Sequence, residues 1–439
     1  MKRVLIVSPH FPPVNAADMH RVRMSLPYFA EYGWSPLVLT VRPEDQEAPI
    51  EPELMALVPQ DVPVVRTPAL PIRLTKLVGV RNVGIRAFVH LYRAGARLIR
   101  EHHVDLVYFS TTMFVTMALG RIWKRRFGVP YVIDMQDPWL STYYDDKPAS
   151  EAPPKYGLAR RLHAVLEPWT MREVGGIVSV SASYIETLRE RYPWIAAGAC
   201  ATIPFGASER DFDVAGRMVR TRETTAGGDR LRGVYIGRGG PDMATALRIL
   251  FKALKDGARG PSILSRVALS FVGTDYAPAG RARKSVDPVA IAEGVAAQVS
   301  EQTTRIGYLD ALVALKQADF LVLIGSDDPD YRASKVHPYI LAGRPIVAVV
   351  HERSPVADLI RKTGTGLVVT FAGRGDTEGP AARLMSAWPG LLERLPFMPP
   401  MDRVAIAPYS ARELTRQQCR LFDTVLQPEC AVAVTPCLG

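Results

Sequence analysis

SKVHPYILAGRPIVAVV, the stretch from Ser334 to Val350, reads as a loop, a short helix, a glycine turn and a buried strand. Ser334 suits a helix N-cap, and a helix starting there directs unpaired backbone N–H groups and the positive end of its dipole at whatever lies before it. Pro338 falls in the first turn, where its missing N–H removes at most one helical hydrogen bond. Gly343 suits the left-handed residue that closes a helix, and Ile346 to Val350 is the apolar run of a strand covered on both faces. The pattern fits an anion-binding element and equally an αβ unit that binds nothing, and the segment alone leaves both open.

The same rhythm runs through the chain. Strand signals are read at residues 4–8, 37–41, 64–67, 106–110, 131–134, 176–180 and 202–204, then again at 233–237, 267–273, 303–306, 320–324, 346–350 and 366–369, with helical stretches between them. Alternation of this kind predicts parallel, doubly wound sheets. A polar segment from Ser208 to Arg230 is read as the linker between two halves. The expected division is an N-terminal Rossmann-like domain over 1–207, a second over 208–405, a C-terminal helix within 406–427 that packs back on the first domain, and a tail over 428–439. Ligands of such folds bind at the carboxyl ends of the strands.

Composition sets further bounds. A chain of 439 residues exceeds a single core, while 48% hydrophobic and 22% charged residues are ordinary for a globular protein. Cys200, Cys419, Cys430 and Cys437 are scattered with no metal-ligand spacing, which favours a reducing, cytoplasmic setting. The opening MKRVLIVSPHFPP has a basic start, but its apolar run is too short for a signal peptide and reads as a first strand. No run approaches the ~18 apolar residues that span a bilayer. His102-His103 and Asp328-Pro329-Asp330 lack the further ligands a metal site needs, so neither metal nor cofactor is expected.

The formal charge of +10 calls for an acidic partner. Arg73, Lys76, Arg81, Arg86, Arg93, Arg97 and Arg100 recur with no acid between Arg73 and Arg100, interleaved with Leu, Val, Ile, Phe and Tyr. Such a segment suits the anionic face of a membrane or a solvated helix face. Nucleic acid is not expected, for want of any recognisable binding module.

Taken in order, VLIVSPHFPP, EYGWSPLVLT, YVIDMQDPW, IPFGAS, GVYIGRGG and the SK-to-GRPIV block resemble the glycosyltransferases of the GT-B fold, within them the retaining, nucleotide-sugar-dependent family 4. The resemblance covers nearly the whole chain. It implies two Rossmann-like domains, a nucleotide diphosphate sugar as donor, and an acceptor hydroxyl on a glycan or a lipid-linked molecule, in synthesis of cell-surface polysaccharide or glycolipid. A cytoplasmic enzyme, peripheral at the inner membrane face, would fit.

The resemblance also assigns roles. Gly237, Arg238 and Gly239, with Ser334, Lys335, Val336, His337, Tyr339 and Arg305, would bind the nucleotide sugar; Arg238 and Lys335 would meet the diphosphate. A lysine that the family places shortly after that arginine is absent here. Of the family's two acids eight positions apart, the first falls on Asp330 and the second on Pro338, which cannot accept a hydrogen bond from a ribose diol. His337, Tyr339 and Asp327 are the alternatives for that contact. Asp330, Arg238, Lys335, Asp137 and His10 are the catalytic candidates. Asp18, Arg21, Asp134, Gln136 and Trp139 would face the acceptor, although Asp137-Pro138 and Trp139 equally suit a turn and a core contact. Two rival readings share the architecture: a nucleotide-sugar epimerase and a catalytically silent nucleotide-sugar binder.

Overall fold

The structure, a computed structural model, describes residues 1–140, 156–221, 229–275, 277, 281–329, 331 and 334–427. The chain divides into two compact units, one of Met1–Phe205 with the segment from Ala411 onward, the other of Gly206–Ser410.

In the first unit β1 (Lys2–Val7), β2 (Trp34–Val41), β3 (Val64–Thr67), β4 (Leu106–Ser110), β5 (Tyr131–Met135), β6 (Gly176–Ser179) and β7 (Cys200–Thr202) form one sheet in the order β3-β2-β1-β4-β5-β6-β7. Every pairing is parallel. The central strands β4, β5 and β6 are buried throughout, as expected of apolar runs covered by helices on both faces. The long basic segment does form a helix, Val83–His102, whose N-cap Asn82 accepts from the Ile85 N–H at 3.1 Å. Its inner face, Val83, Ala87, Leu91, Leu98 and Ile99, lies in the core. Gly95 lets it approach Trp123, since a Cβ there would stand 2.3 Å from the indole ring.

The C-terminal helix Ala411–Leu426 completes the other face of this sheet. Phe422 is fully buried, edge-on to Trp34 at 5.4 Å, tilted against Tyr108 at 5.0 Å and stacked beside Phe29 at 6.3 Å. Asp423 accepts from the Trp34 indole N–H at 3.1 Å, and Gln418 donates to Ser25 Oγ at 2.9 Å.

The second unit repeats the design with β8 (Leu231–Ile236), β9 (Val267–Val272), β10 (Val299–Gln302), β11 (Phe320–Ile324), β12 (Ile346–His351) and β13 (Gly366–Phe371), all parallel, in the order β10-β9-β8-β11-β12-β13. Three expectations shift here and in the first unit. The strand read at 303–306 is Val299–Gln302; as an edge strand it alternates half-buried and exposed residues and carries no apolar run. The strand read at 202–204 is Cys200–Thr202, also at a sheet edge. The segment read as a linker is instead the helix Glu209–Thr221, which buries Phe212 and Ala215 and holds the helix Tyr308–Gln317 through a Tyr308 hydroxyl to Asp211 bond of 2.7 Å. The tail after Gln427, with Cys430 and Cys437, lies outside the described residues. No described helix is long and apolar enough to cross a membrane.

Because Phe422 meets two aromatic rings on the sheet and Phe29 beside it, Phe422→Ala is expected to remove about 3–5 kcal/mol from the first unit. Urea unfolding followed by tryptophan fluorescence checks it; a loss below about 1 kcal/mol would mean the helix is not part of that core.

Candidate functional site

Each sheet has one place where the winding reverses. In the second unit it lies between β8 and β11, whose crossovers leave in opposite directions, so no connection covers their carboxyl ends. The loop after β8, Gly237-Arg238-Gly239-Gly240, and the described residues that follow β11, Gly325 to Pro329, border that point. Gly237 has φ +148°, and a Cβ on it would stand 2.5 Å from Lys335 Nζ, so the lysine lies close against the loop where position 237 carries no side chain.

Lys335 donates to the Tyr235 hydroxyl and lies 4.2 Å over that ring. The Tyr235 hydroxyl in turn donates to the Arg238 carbonyl at 2.7 Å. Burial, aided by the Arg238 charge, pulls the Lys335 ammonium down to about 7. Arg238 lies over Tyr331 at 5.0 Å and donates both terminal nitrogens to Asp242, at 3.0 and 2.8 Å. That hydrogen-bonded pair raises the arginine further and holds the Asp242 carboxyl low, with Ser326 Oγ donating to it at 2.7 Å. Tyr339, buried, accepts from the Ile236 N–H at 2.7 Å and donates to the Ile236 carbonyl at 3.2 Å, fixing the strand end that opens the loop.

Several expected donor residues fall elsewhere. The helix after the loop is Val336–Leu341, six residues long, with Lys335 at its N-cap and no side-chain cap. Ser334 is exposed in the turn before it, so the N-cap expected there is not made, and so short a helix has little dipole to offer. Gly343 does take the left-handed conformation, φ +72°. Val336 is buried in the core side of the turn. His337 is buried, stacked on Tyr409 at 4.4 Å, with Nδ1 at 3.1 Å from the Ser334 carbonyl and its pKa drawn down to about 4 by burial. Tyr339 is committed to Ile236. Of the three substitutes for a ribose acid, Asp327 keeps a buried carboxylate oxygen, Oδ1, with no hydrogen-bond partner among the described residues, while Oδ2 pairs with Arg374 at 2.9 Å. Arg305 is exposed beside Gly273, after β10 and away from the reversal point. Asp330 lies outside the described residues. Asp242 escaped the sequence reading, although an acid four residues after Arg238 was a visible signal.

In the first unit the reversal lies between β1 and β4. His10 follows β1, and its Nδ1 is 2.9 and 3.1 Å from the two oxygens of Asp18. Asp18 also accepts from Thr111 Oγ1 at 2.9 Å and the Thr112 N–H at 3.0 Å, both after β4. Burial alone would raise Asp18, but His10 and these donors hold it below the usual range. Arg21 Nε is 2.8 Å from Asp134, and its terminal nitrogens reach the carbonyls of Ile203 and Pro204 at 2.8 and 3.4 Å. Gln136 donates to the Asp18 carbonyl, Ser110 Oγ and Asp134, each at 3.0 Å. Arg21, Asp134 and Gln136 are buried, so they hold the loops and leave His10 and Asp137 nearer the surface. Asp137 is exposed, its carboxyl raised by partial desolvation and by the Asp18 charge. Trp139 is buried, stacked on Phe114 at 5.7 Å; the expected acceptor-facing indole is a core contact that also walls a cavity of about 260 Å³ with Tyr184, Leu188 and Arg191.

A family model described as a glycosyl transferase 4-like domain matches residues 20–206. Among solved structures, sucrose-phosphate synthase from Thermosynechococcus elongatus superposes with a TM-score of 0.56 at 15% identity, covering 97% of this chain and 99% of that one. HepE from Anabaena, in complex with UDP, gives 0.55 at 14% identity over 97% and 100%. A glycosyltransferase from Rickettsia africae gives 0.56 at 11% over 97% and 99%. No curated protein matches in sequence. At these identities the likeness is one of fold, and the fold is GT-B: two Rossmann-like units, each a parallel sheet with interleaved helices.

Since the Tyr339 hydroxyl serves the Ile236 backbone, Tyr339→Phe leaves a buried N–H without an acceptor. It is expected to cost about 1–3 kcal/mol, read by urea unfolding, with faster amide exchange at Ile236 and Gly237. Exchange unchanged from wild type would show that the bond does not hold the loop.

Proposed function

We propose that the protein is a glycosyltransferase that moves a sugar from a nucleotide diphosphate sugar to an acceptor hydroxyl, with retention at the anomeric carbon. The observation that carries this is the meeting of Arg238 and Lys335 around a glycine loop at the reversal point of the second sheet. The hard step is separating the sugar from a diphosphate that gains charge as the bond breaks, and fixed cationic donors lower that barrier. Arg238 offers a planar fork to phosphate oxygens, and Lys335 a point charge. HepE has been solved with UDP-glucose, which makes UDP-glucose the first donor to try. The match of residues 20–206 to a family 4-like domain supports retention. The acceptor would be held by the first unit, with His10 oriented through Asp18 and with Asp137 beside it. A glycan or lipid-linked acceptor at the inner membrane face completes the reading, within synthesis of surface polysaccharide or glycolipid.

Thermal melting with UDP and UDP-glucose tests it. A ligand at ~100 times its dissociation constant adds roughly 2.7 kcal/mol, and Arg238→Ala or Lys335→Ala should abolish that gain. No response of the wild type to nucleotide diphosphates or their sugars would overturn the reading.

The sign of the pH effect follows from Lys335, which loses its proton as pH rises through about 7. A bound diphosphate favours the ammonium, so UDP affinity should be flat below pH 7. Above it, affinity should weaken by up to about tenfold per pH unit. Lys335→Arg, charged throughout, should flatten the profile. Calorimetric titration across pH 6 to 9 checks this; a wild-type affinity independent of pH would show that Lys335 does not meet the diphosphate.

A further inference from the structure

In the first unit the chain between β3 and the helix Val83–His102 projects as a short helix, Ile72–Thr75, and a 3₁₀ turn, Lys76–Val78. Three of its leucines face outward. Leu70 is 51% exposed, Leu74 60% and Leu77 80%, and on the first turns of the long helix Ile85 and Val89 are 36% and 54% exposed. Soluble surfaces rarely gather so much aliphatic area along one short stretch of chain.

The projection is braced. Arg86 is buried and donates to the carbonyls of Asp45, Leu70 and Arg81 at 2.6, 2.8 and 3.2 Å, while the Leu70 N–H donates to the Arg86 carbonyl at 3.1 Å. The buried cation of the sequence segment thus serves as a strut, and the exposed leucines are held out by it.

Charge selects the partner. Arg73, Lys76 and Arg81 are exposed among these leucines, and Arg93 and Arg97 continue the Ile85–Val89 stripe at four-residue spacing along the helix. Among the described residues, Glu47 is paired with Arg81 and Glu101 with Arg97, and the Asp45 carboxylate is taken up by the Ala69 N–H at 3.1 Å. Aliphatic residues that can enter an acyl layer, ringed by cations that can meet headgroup phosphates, suit an anionic bilayer surface.

We propose that residues 70–89 form a membrane wedge, with Leu70, Leu74 and Leu77 inserting and Arg73, Lys76, Arg93 and Arg97 meeting anionic headgroups. It follows the carboxyl end of β3, so it lies at the edge of the sheet that also carries His10, Thr111 and Gln136. Docking there would present that edge to an acceptor held in the membrane. This deepens the lipid-linked acceptor reading and rests on it for its purpose, but vesicle binding is measured without donor or transfer.

Cosedimentation of the full chain with vesicles of phosphatidylcholine alone, and with about one third phosphatidylglycerol, tests the wedge. Wild type should bind the anionic vesicles and release at high salt. Leu74→Ser/Leu77→Ser and, separately, Arg73→Ser/Lys76→Ser should each weaken partition roughly tenfold. Melting temperature and the response to UDP should stay at wild-type values, showing that both variants are folded. Absent binding, equal binding to neutral vesicles, or variants that bind as wild type would each overturn the proposal. So would light scattering that shows a dimer lost in the leucine variant while vesicles go unbound, since the face would then belong to a second copy. A wild type that binds vesicles but ignores nucleotides would sink the transferase reading and leave the wedge standing.

Discussion

Where neighbouring parallel strands send their crossovers in opposite directions, no connection can cover the carboxyl ends between them. Both units of this protein are organised around that constraint. In the second it borders the loop after β8 and the chain after β11; in the first it borders His10 and the threonines after β4. Chemistry-bearing side chains gather at those two points because helices pack over the sheet faces and leave these edges free.

At the second of these points the electrostatics are finely balanced. Arg238 arrives already paired with Asp242, and Lys335 sits where burial and a neighbouring guanidinium disfavour its charge. The free protein therefore holds less positive charge there than its two cations suggest. A diphosphate would compete with Asp242 for the arginine fork and would draw a proton onto the lysine. Affinity in such a site depends on what the ligand displaces as much as on what it touches.

The first unit separates roles by depth. Arg21, Asp134 and Gln136 are consumed in a buried network that ties the chain at Asp18 and Arg21 to β4, β5 and the chain at Ile203. His10, steered by Asp18, and Asp137 remain nearer the surface. An equal list of polar candidates in the sequence thus becomes a scaffold and a working edge.

Much of the architecture was legible from residues alone. Strands such as Phe320–Ile324 and Ile346–His351 announce themselves because a central parallel strand must be apolar on both faces. Val299–Gln302 did not, because an edge strand buries only half of itself. The helix Glu209–Thr221 was hidden by its charge, since a few apolar contacts at Phe212 and Ala215 suffice to dock a polar helix. What the sequence determined by itself was the βαβ order, the glycine loop with Arg238, and the Ser-Lys turn. Folding alone brings Asp242 onto Arg238, commits His337 and Trp139 to packing, and turns the leucines at 70, 74 and 77 outward. Those outcomes depend on which distant groups the fold brings within a few ångströms, and local periodicity carries no record of that.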